Sequence, residues 1–214
     1  MRVVIAGGHG QIALLLHEAL ARRGDTAVGI VRNPDHVADV ERTGAEAVVL
    51  DLEQSDATTL AEVLDGADAV VFAAGGGPNS GAARKDTVDR GAAALLADAA
   101  TLAGVRRYVM ISAMGTEQAD PDSDDVFQVY LRAKQAADDD LRSRDLDWTV
   151  VRPGRLTDDP GAGRVQVGSL GRGGVPRADV AAVLAEVLTT DSTIGTTFDL
   201  LAGHQTIEAA LAGL

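Results

Sequence analysis

Short, unbroken apolar runs alternate with longer segments of helical period, and this alternation constrains the fold more than any other feature of the chain. The runs are VVIA (3–6), AVGIV (27–31), AVVL (47–50), AVVFAA (69–74), YVMIS (108–112) and WTVVR (148–152). Helices are expected near 11–22, 35–43, 56–65, 82–103 and 124–144. A strand that is apolar at every position is buried on both faces, which calls for a parallel sheet covered by helices on either side. Repeated βαβ units then predict an α/β fold with a doubly wound open sheet.

Past residue 152 the pattern changes. RLTDDPGAGRVQVGSLGRGG reads as a loop with a short hairpin or strand, before a helix at about 177–190, a strand near 196–201 and a short terminal helix. The stretches 114–124 and 155–174 follow strand ends, where ligands bind in such sheets, and both are expected to be mobile. At 214 residues the chain is large enough for one well-buried core and small for two. One domain over 1–214 is expected, with the substrate-side elements mainly in 153–214.

A formal charge of −13 argues against nucleic acid bound through a broad basic face, and the acidity reads as solvated surface. The absence of cysteine excludes disulfides and thiolate metal sites. The four histidines show no metal-ligand spacing, so no metal is expected. The acidic clusters ADPDSDD and ADDDL are expected to form solvated faces, because consecutive aspartates on a helix fan around its axis. The most apolar helical stretch, GAAALLADAATLAGV, carries Asp98 and is too short to span a bilayer. Strand sequence from Arg2 leaves no room for a leader. A cytoplasmic protein with a small-molecule substrate is expected, either monomer or homodimer, without nucleic-acid or membrane partners.

The first run passes directly into AGGHGQIA, a glycine cluster at a strand–helix junction. Such a junction turns backbone amides and the positive helix end toward a pyrophosphate. Gly7 would make the tight turn, Gly10 would let phosphates approach, and Ala13 is small enough for close helix–sheet packing. Gly8, Gln11 and Ile12 complete the candidate cradle. His9 could face a phosphate or simply be a tolerated exposed side chain. The second run is followed by Arg32 rather than an acid, which suits a 2′-phosphate and favours NADP(H) over NAD(H). Asp51, beside Leu52, could contact an adenine amino group or cap a loop. Ala73, Ala74 and Gly75 are small enough to let the backbone line the adenosine ribose.

VYLRAKQAADDDL places Tyr130 and Lys134 one helical turn apart, in a chain with two tyrosines and two lysines against seventeen arginines. A phenol normally titrating near ~10 can be lowered by an adjacent ammonium and then exchange a proton near neutrality.

Together GGHGQIA, Arg32, Asp51-Leu52, Ala73-Ala74-Gly75, ISAMG (111–115), YLRAK (130–134) and VRPGRLT (151–157) resemble the short-chain dehydrogenase/reductase superfamily. The chain is most similar to its small atypical NAD(P)H-binding branch, which resembles flavin/biliverdin-IXβ reductase and the NmrA-like sensors. The resemblance implies a Rossmann fold, NADP(H), and hydride transfer with Tyr130 as proton donor and Lys134 on the ribose. Pro153 and Gly154 would line the nicotinamide end. In one respect the chain departs from the pattern, since the usual catalytic serine position holds Ala113. Ser112, one residue earlier, would point to the other face of a straight strand and reaches a substrate only if the chain bends. Two functions are therefore expected to compete. One is an NADPH-dependent oxidoreductase acting on a small carbonyl, quinone or flavin-like acceptor; the other is a non-catalytic NADP(H) redox sensor. Tyr130 and Lys134 favour the enzyme, whereas Ala113 favours the sensor. The residues after the sixth run are too few for the large substrate domain of sugar-nucleotide epimerases, so a small, open site is expected.

Overall fold

The computed structural model describes residues 1–77, 81 and 84–214. Its first half alternates as the apolar runs require: β1 (Arg2–Ala6), α1 (Gln11–Arg23), β2 (Thr26–Val31), α2 (Val37–Glu41, entered through a 3-10 turn), β3 (Glu46–Val49), α3 (Ala57–Val63) and β4 (Ala69–Phe72). A π-helical segment, Lys85–Ala92, continues into α4 (Ala93–Ala103), and then come β5 (Arg107–Ile111), α5 (Val126–Arg142) and β6 (Asp147–Pro153). The remaining elements are β7 (Arg155–Thr157), β8 (Arg164–Gly168), β9 (Gly174–Pro176), α6 (Arg177–Val187), β10 (Thr196–Ala202), β11 (Gln205–Thr206) and α7 (Ile207–Leu211).

One sheet runs in the order β11-β8-β10-β6-β5-β4-β1-β2-β3. Pairing is parallel from β3 across to β10. At the far edge β8 runs antiparallel to β10 and β11 antiparallel to β8. The protein thus has a Rossmann-type, mostly parallel sheet with helices on both faces. β1 shows why its run is unbroken: Val3 and Ile5 pack with Leu16 and Leu20 of α1 on one face, while Val4 and Ala6 pack with Leu60 and Leu96 on the other. Strand order changes direction between β1 and β4, and the crevice at such a switch point is where this architecture takes ligands.

Two elements differ from expectation. Of the helix expected over 82–103, residues 82–83 lie outside the described residues, and 85–92 winds as a π-helix. Burial at Lys85, Val88, Asp89 and Ala92 follows the spacing of an ordinary helical stripe, so the pattern carries no sign of the wider winding. The 155–174 stretch forms three short strands, of which β7 and β9 make a separate parallel pair. Among the described residues no helix is long and apolar enough to cross a membrane.

Candidate active site

The glycine cluster divides its work between packing and opening. Gly7 sits at φ +81°, and a Cβ there would lie 2.6 Å from the Cα of Ala74, so β4 can approach the turn only past a glycine. Gly8 faces the other way: a Cβ on it would lie 2.5 Å from Gly29 Cα on β2. Its carbonyl accepts a hydrogen bond from Nε2 of His17 at 2.9 Å. His17 is fully buried on α1, and burial holds its pKa below the ordinary histidine value. Gly10 differs from both. Its φ is −62°, and a Cβ there would meet nothing closer than Gly7 O at 3.3 Å. Protein packing presses on this position less than on Gly7 or Gly8, and its open side faces a cleft. Gly10 also begins α1 without any side chain capping the first amides, so those donors remain for an anion. Gln11 is exposed at the start of the helix, and Ile12 lines the next cleft along.

From the glycine turn a cavity of about 340 Å³ runs along the ends of β2 and β3. Arg32 and Leu52 line it, and so does Asp51, whose carboxylate accepts the Glu53 amide at 3.0 Å and so caps its own loop. Arg32 is not free: its Nη1 donates to Glu53 Oε2 at 3.0 Å. Arg84 reaches the same oxygen through Nε (3.2 Å) and Nη2 (3.1 Å), while Thr87 Oγ1 donates to Oε1 at 2.7 Å. The Thr87 hydrogen bond and the two guanidinium groups hold the Glu53 carboxyl below its ordinary pKa. His9 is neither a loose surface side chain nor unattached: it pairs with Asp39 at 2.7 Å and stacks on His36 at 3.6 Å.

A second cavity, about 630 Å³, shares Ala73, Ala74 and Gly75 with the first, making one continuous groove. Tyr130 and Lys134 enter it from α5, and Pro153 and Gly154 from the end of β6. Lys134 is almost fully buried; its Nζ donates to Ile111 O at 3.1 Å and stands 3.4 Å from Asp89 Oδ1. Asp89 in turn accepts the Gly76 amide at 3.0 Å. Lys85 donates to Gly77 O at 2.6 Å and lies 5.2 Å above the Tyr130 ring.

Burial first, and then the carboxylates of Asp89 and Asp138, push the Tyr130 phenol above its ordinary pKa. This corrects the expectation of a phenol drawn toward neutrality. The nearby ammonium is matched by Asp89, so the phenol keeps its proton at neutral pH.

Ser112 and Ala113 both face the groove, because the chain bends as it leaves β5 and stays tied to β6 through Ser112 N–Val151 O (2.8 Å) and Met114 N–Pro153 O (3.1 Å). Ser112 is nearly buried and its hydroxyl has no hydrogen-bond partner among the described residues, though its proximity acts to lower the Asp138 pKa. Asp138 overturns the reading of ADDDL as wholly solvated. It is fully buried, accepts a hydrogen bond from Arg152 Nε at 3.0 Å and is ion-paired with Nη2 at 2.9 Å, while Asp139 remains exposed. Arg152 also holds Glu117 at 2.7 Å. Burial nonetheless raises the Asp138 pKa above the usual carboxylate value.

Sequence reasoning missed Glu53, Arg84, Lys85, Asp89 and Asp138. Asp138 carried a signal, since positions 130, 134 and 138 repeat at one helical turn and share a face, and Lys85 and Asp89 carried the same one, four residues apart.

A glycine turn, an uncapped helix start and a groove across the sheet's switch point define a dinucleotide-binding protein of the Rossmann type. The chain belongs to the NAD(P)H-binding family, whose sequence profile matches residues 7–191. It is 34% identical over 216 residues to the Bacillus subtilis protein called "Uncharacterized sugar epimerase YhfK", with both chains fully covered. A solved Bacillus halodurans structure, provisionally described as an NAD-dependent epimerase/dehydratase, is 35% identical with a TM-score of 0.92 over the whole of both chains. ChuY, an anaerobillin reductase from Escherichia coli O157:H7, shares the fold at 21% identity and a TM-score of 0.79, covering 94% of this chain and 97% of its own.

Proposed function

We propose that this protein is an NADPH-dependent oxidoreductase of the short-chain dehydrogenase/reductase type, passing hydride to a small carbonyl, quinone or flavin-like acceptor. One observation carries this reading. The glycine-turn cleft and the cleft holding Tyr130 and Lys134 meet at Ala73–Gly75, so a single extended molecule can touch both. The open side of Gly10 and the uncapped α1 amides fit a pyrophosphate, and the arginines at the far end fit a 2′-phosphate.

A bound nicotinamide would supply the hydride. Tyr130, protonated at neutral pH, donates its proton to the acceptor oxygen as negative charge develops there. Lys134 would hold the ribose hydroxyls and stabilise the phenolate left behind. Asp89 and the Ile111 carbonyl fix its ammonium in place. Ser112 lines the groove with its hydroxyl buried, and Ala113 leaves the site one donor short of the superfamily's usual set.

The name of the Bacillus subtilis relative suggests a sugar, but the architecture favours a smaller acceptor. After β6, strands β8, β10 and β11 widen the sheet rather than form a separate substrate lobe. The deciding experiment follows NADPH oxidation against aldehydes, quinones and flavins. Turnover with any of them supports the enzyme; tight NADPH binding without turnover on the whole panel replaces it with the redox sensor.

A further inference from the structure

At the far end of the groove two guanidinium groups address one oxygen atom. Arg32 leaves the end of β2 and Arg84 stands at the start of the π-helical segment, yet both donate to Glu53 Oε2 at 3.0–3.2 Å. All three line the same cavity as the glycine turn. Long arginine side chains that are 52% and 38% exposed lose much freedom when held in one place, so their convergence marks a point built for strong negative charge. One carboxylate opposite two guanidinium groups leaves that point with a net positive charge. Glu53 is itself anchored on its other oxygen by Thr87.

We infer that Glu53 is an internal stand-in for the cofactor's 2′-phosphate and so sets cofactor specificity. NADP(H) must displace this carboxylate to reach Arg32 and Arg84, whereas the ribose 2′-hydroxyl of NAD(H) donates to the carboxylate where it stands. Arg84 becomes the second phosphate ligand, and Glu53 tempers the preference that the arginines alone would impose. The inference rests on the reading of the groove as a dinucleotide site.

The test uses two probes that differ only in the 2′-phosphate, 2′,5′-ADP and 5′-AMP, titrated calorimetrically into wild type, Glu53→Gln and Arg84→Gln, with circular dichroism to confirm folding. Glu53→Gln is expected to tighten 2′,5′-ADP about tenfold, since charged hydrogen bonds freed for the ligand carry that order of energy, without tightening 5′-AMP. Arg84→Gln is expected to weaken 2′,5′-ADP by about the same factor and to spare 5′-AMP. Parallel changes for both probes, or none, in folded variants overturn the inference while leaving the groove a nucleotide site. Failure of wild type to bind either probe overturns the dinucleotide reading and the inference with it.

Discussion

Lys134 and Asp89 form an ion pair inside the groove, Nζ to Oδ1 at 3.4 Å, with the lysine side chain 4% exposed and the aspartate fully buried. The pair explains how a lysine beside a tyrosine can leave the phenol protonated. Asp89 is also one of the charges that raise the Tyr130 pKa. In Asp89→Asn that charge is gone and the Gly76 amide can still be accepted, so the phenol should ionise at lower pH. A proton donor loses activity as pH rises through its pKa. A basic limb should therefore enter the kcat/KM profile at lower pH in the variant than in wild type, and identical profiles would show that Asp89 does not set the Tyr130 pKa.

Tyr130→Phe keeps the ring that packs near Phe127 and Lys85 and removes only the donor. For a carbonyl acceptor kcat should fall by about 10²–10⁴-fold with NADPH affinity unchanged. Flavins and quinones can take their proton from water, so their reduction should survive. Steady-state assays on both acceptor classes, beside a fluorescence titration of NADPH, separate these outcomes.

Gly10→Val should abolish NADPH binding while the protein still folds, because the added side chain enters the cleft and its Cβ meets the protein only at Gly7 O (3.3 Å) and Ala73 O (3.8 Å). Gly7→Ala should instead damage the fold, since it demands φ +81° and a Cβ 2.6 Å from Ala74 Cα. Thermal unfolding and cofactor titration of the two variants should therefore rank them oppositely.

His17 gives the glycine turn a pH dependence. Its folded pKa is lowered by burial, so as pH falls below the unfolded value of about 6.5 the unfolded chain takes up a proton that the folded one resists. This contribution to stability is complete above that pH and is lost below it, by up to about 1.4 kcal/mol per pH unit until the folded histidine also protonates. Urea unfolding at neutral pH and at about pH 5.5 should show the loss in wild type, and His17→Gln should flatten it.

The apolar runs were legible because an unbroken run has one comfortable setting, a strand covered on both faces; all six became strands. Gly7, Gly10, Ala73, Tyr130 and Lys134 stood out because each sits at a strand end or a helical spacing with chemical meaning, and all five line the groove. β8 was expected only as a short hairpin or strand somewhere in the glycine-rich stretch, and its place was not legible. RVQVG holds no long apolar run and becomes a strand through its pairing with β10. Glu53 and Arg84 meet across the groove from distant segments, and nothing local to either announces the other. Arg152 and Asp138 likewise come together only when β6 packs beside α5.

The distribution of basic residues has a practical consequence. Lys85 and Lys134 are the chain's only lysines; both line the groove, and they are 6% and 4% exposed. The remaining strongly basic side chains are arginines, which amine-directed reagents leave untouched. A small acylating or reductively methylating reagent therefore finds, apart from the terminal amine held by Asp25, its target nitrogens only within this groove. Ligand occupancy can be followed as protection of two positions in a mass spectrum, and the native chain serves as its own footprinting reporter.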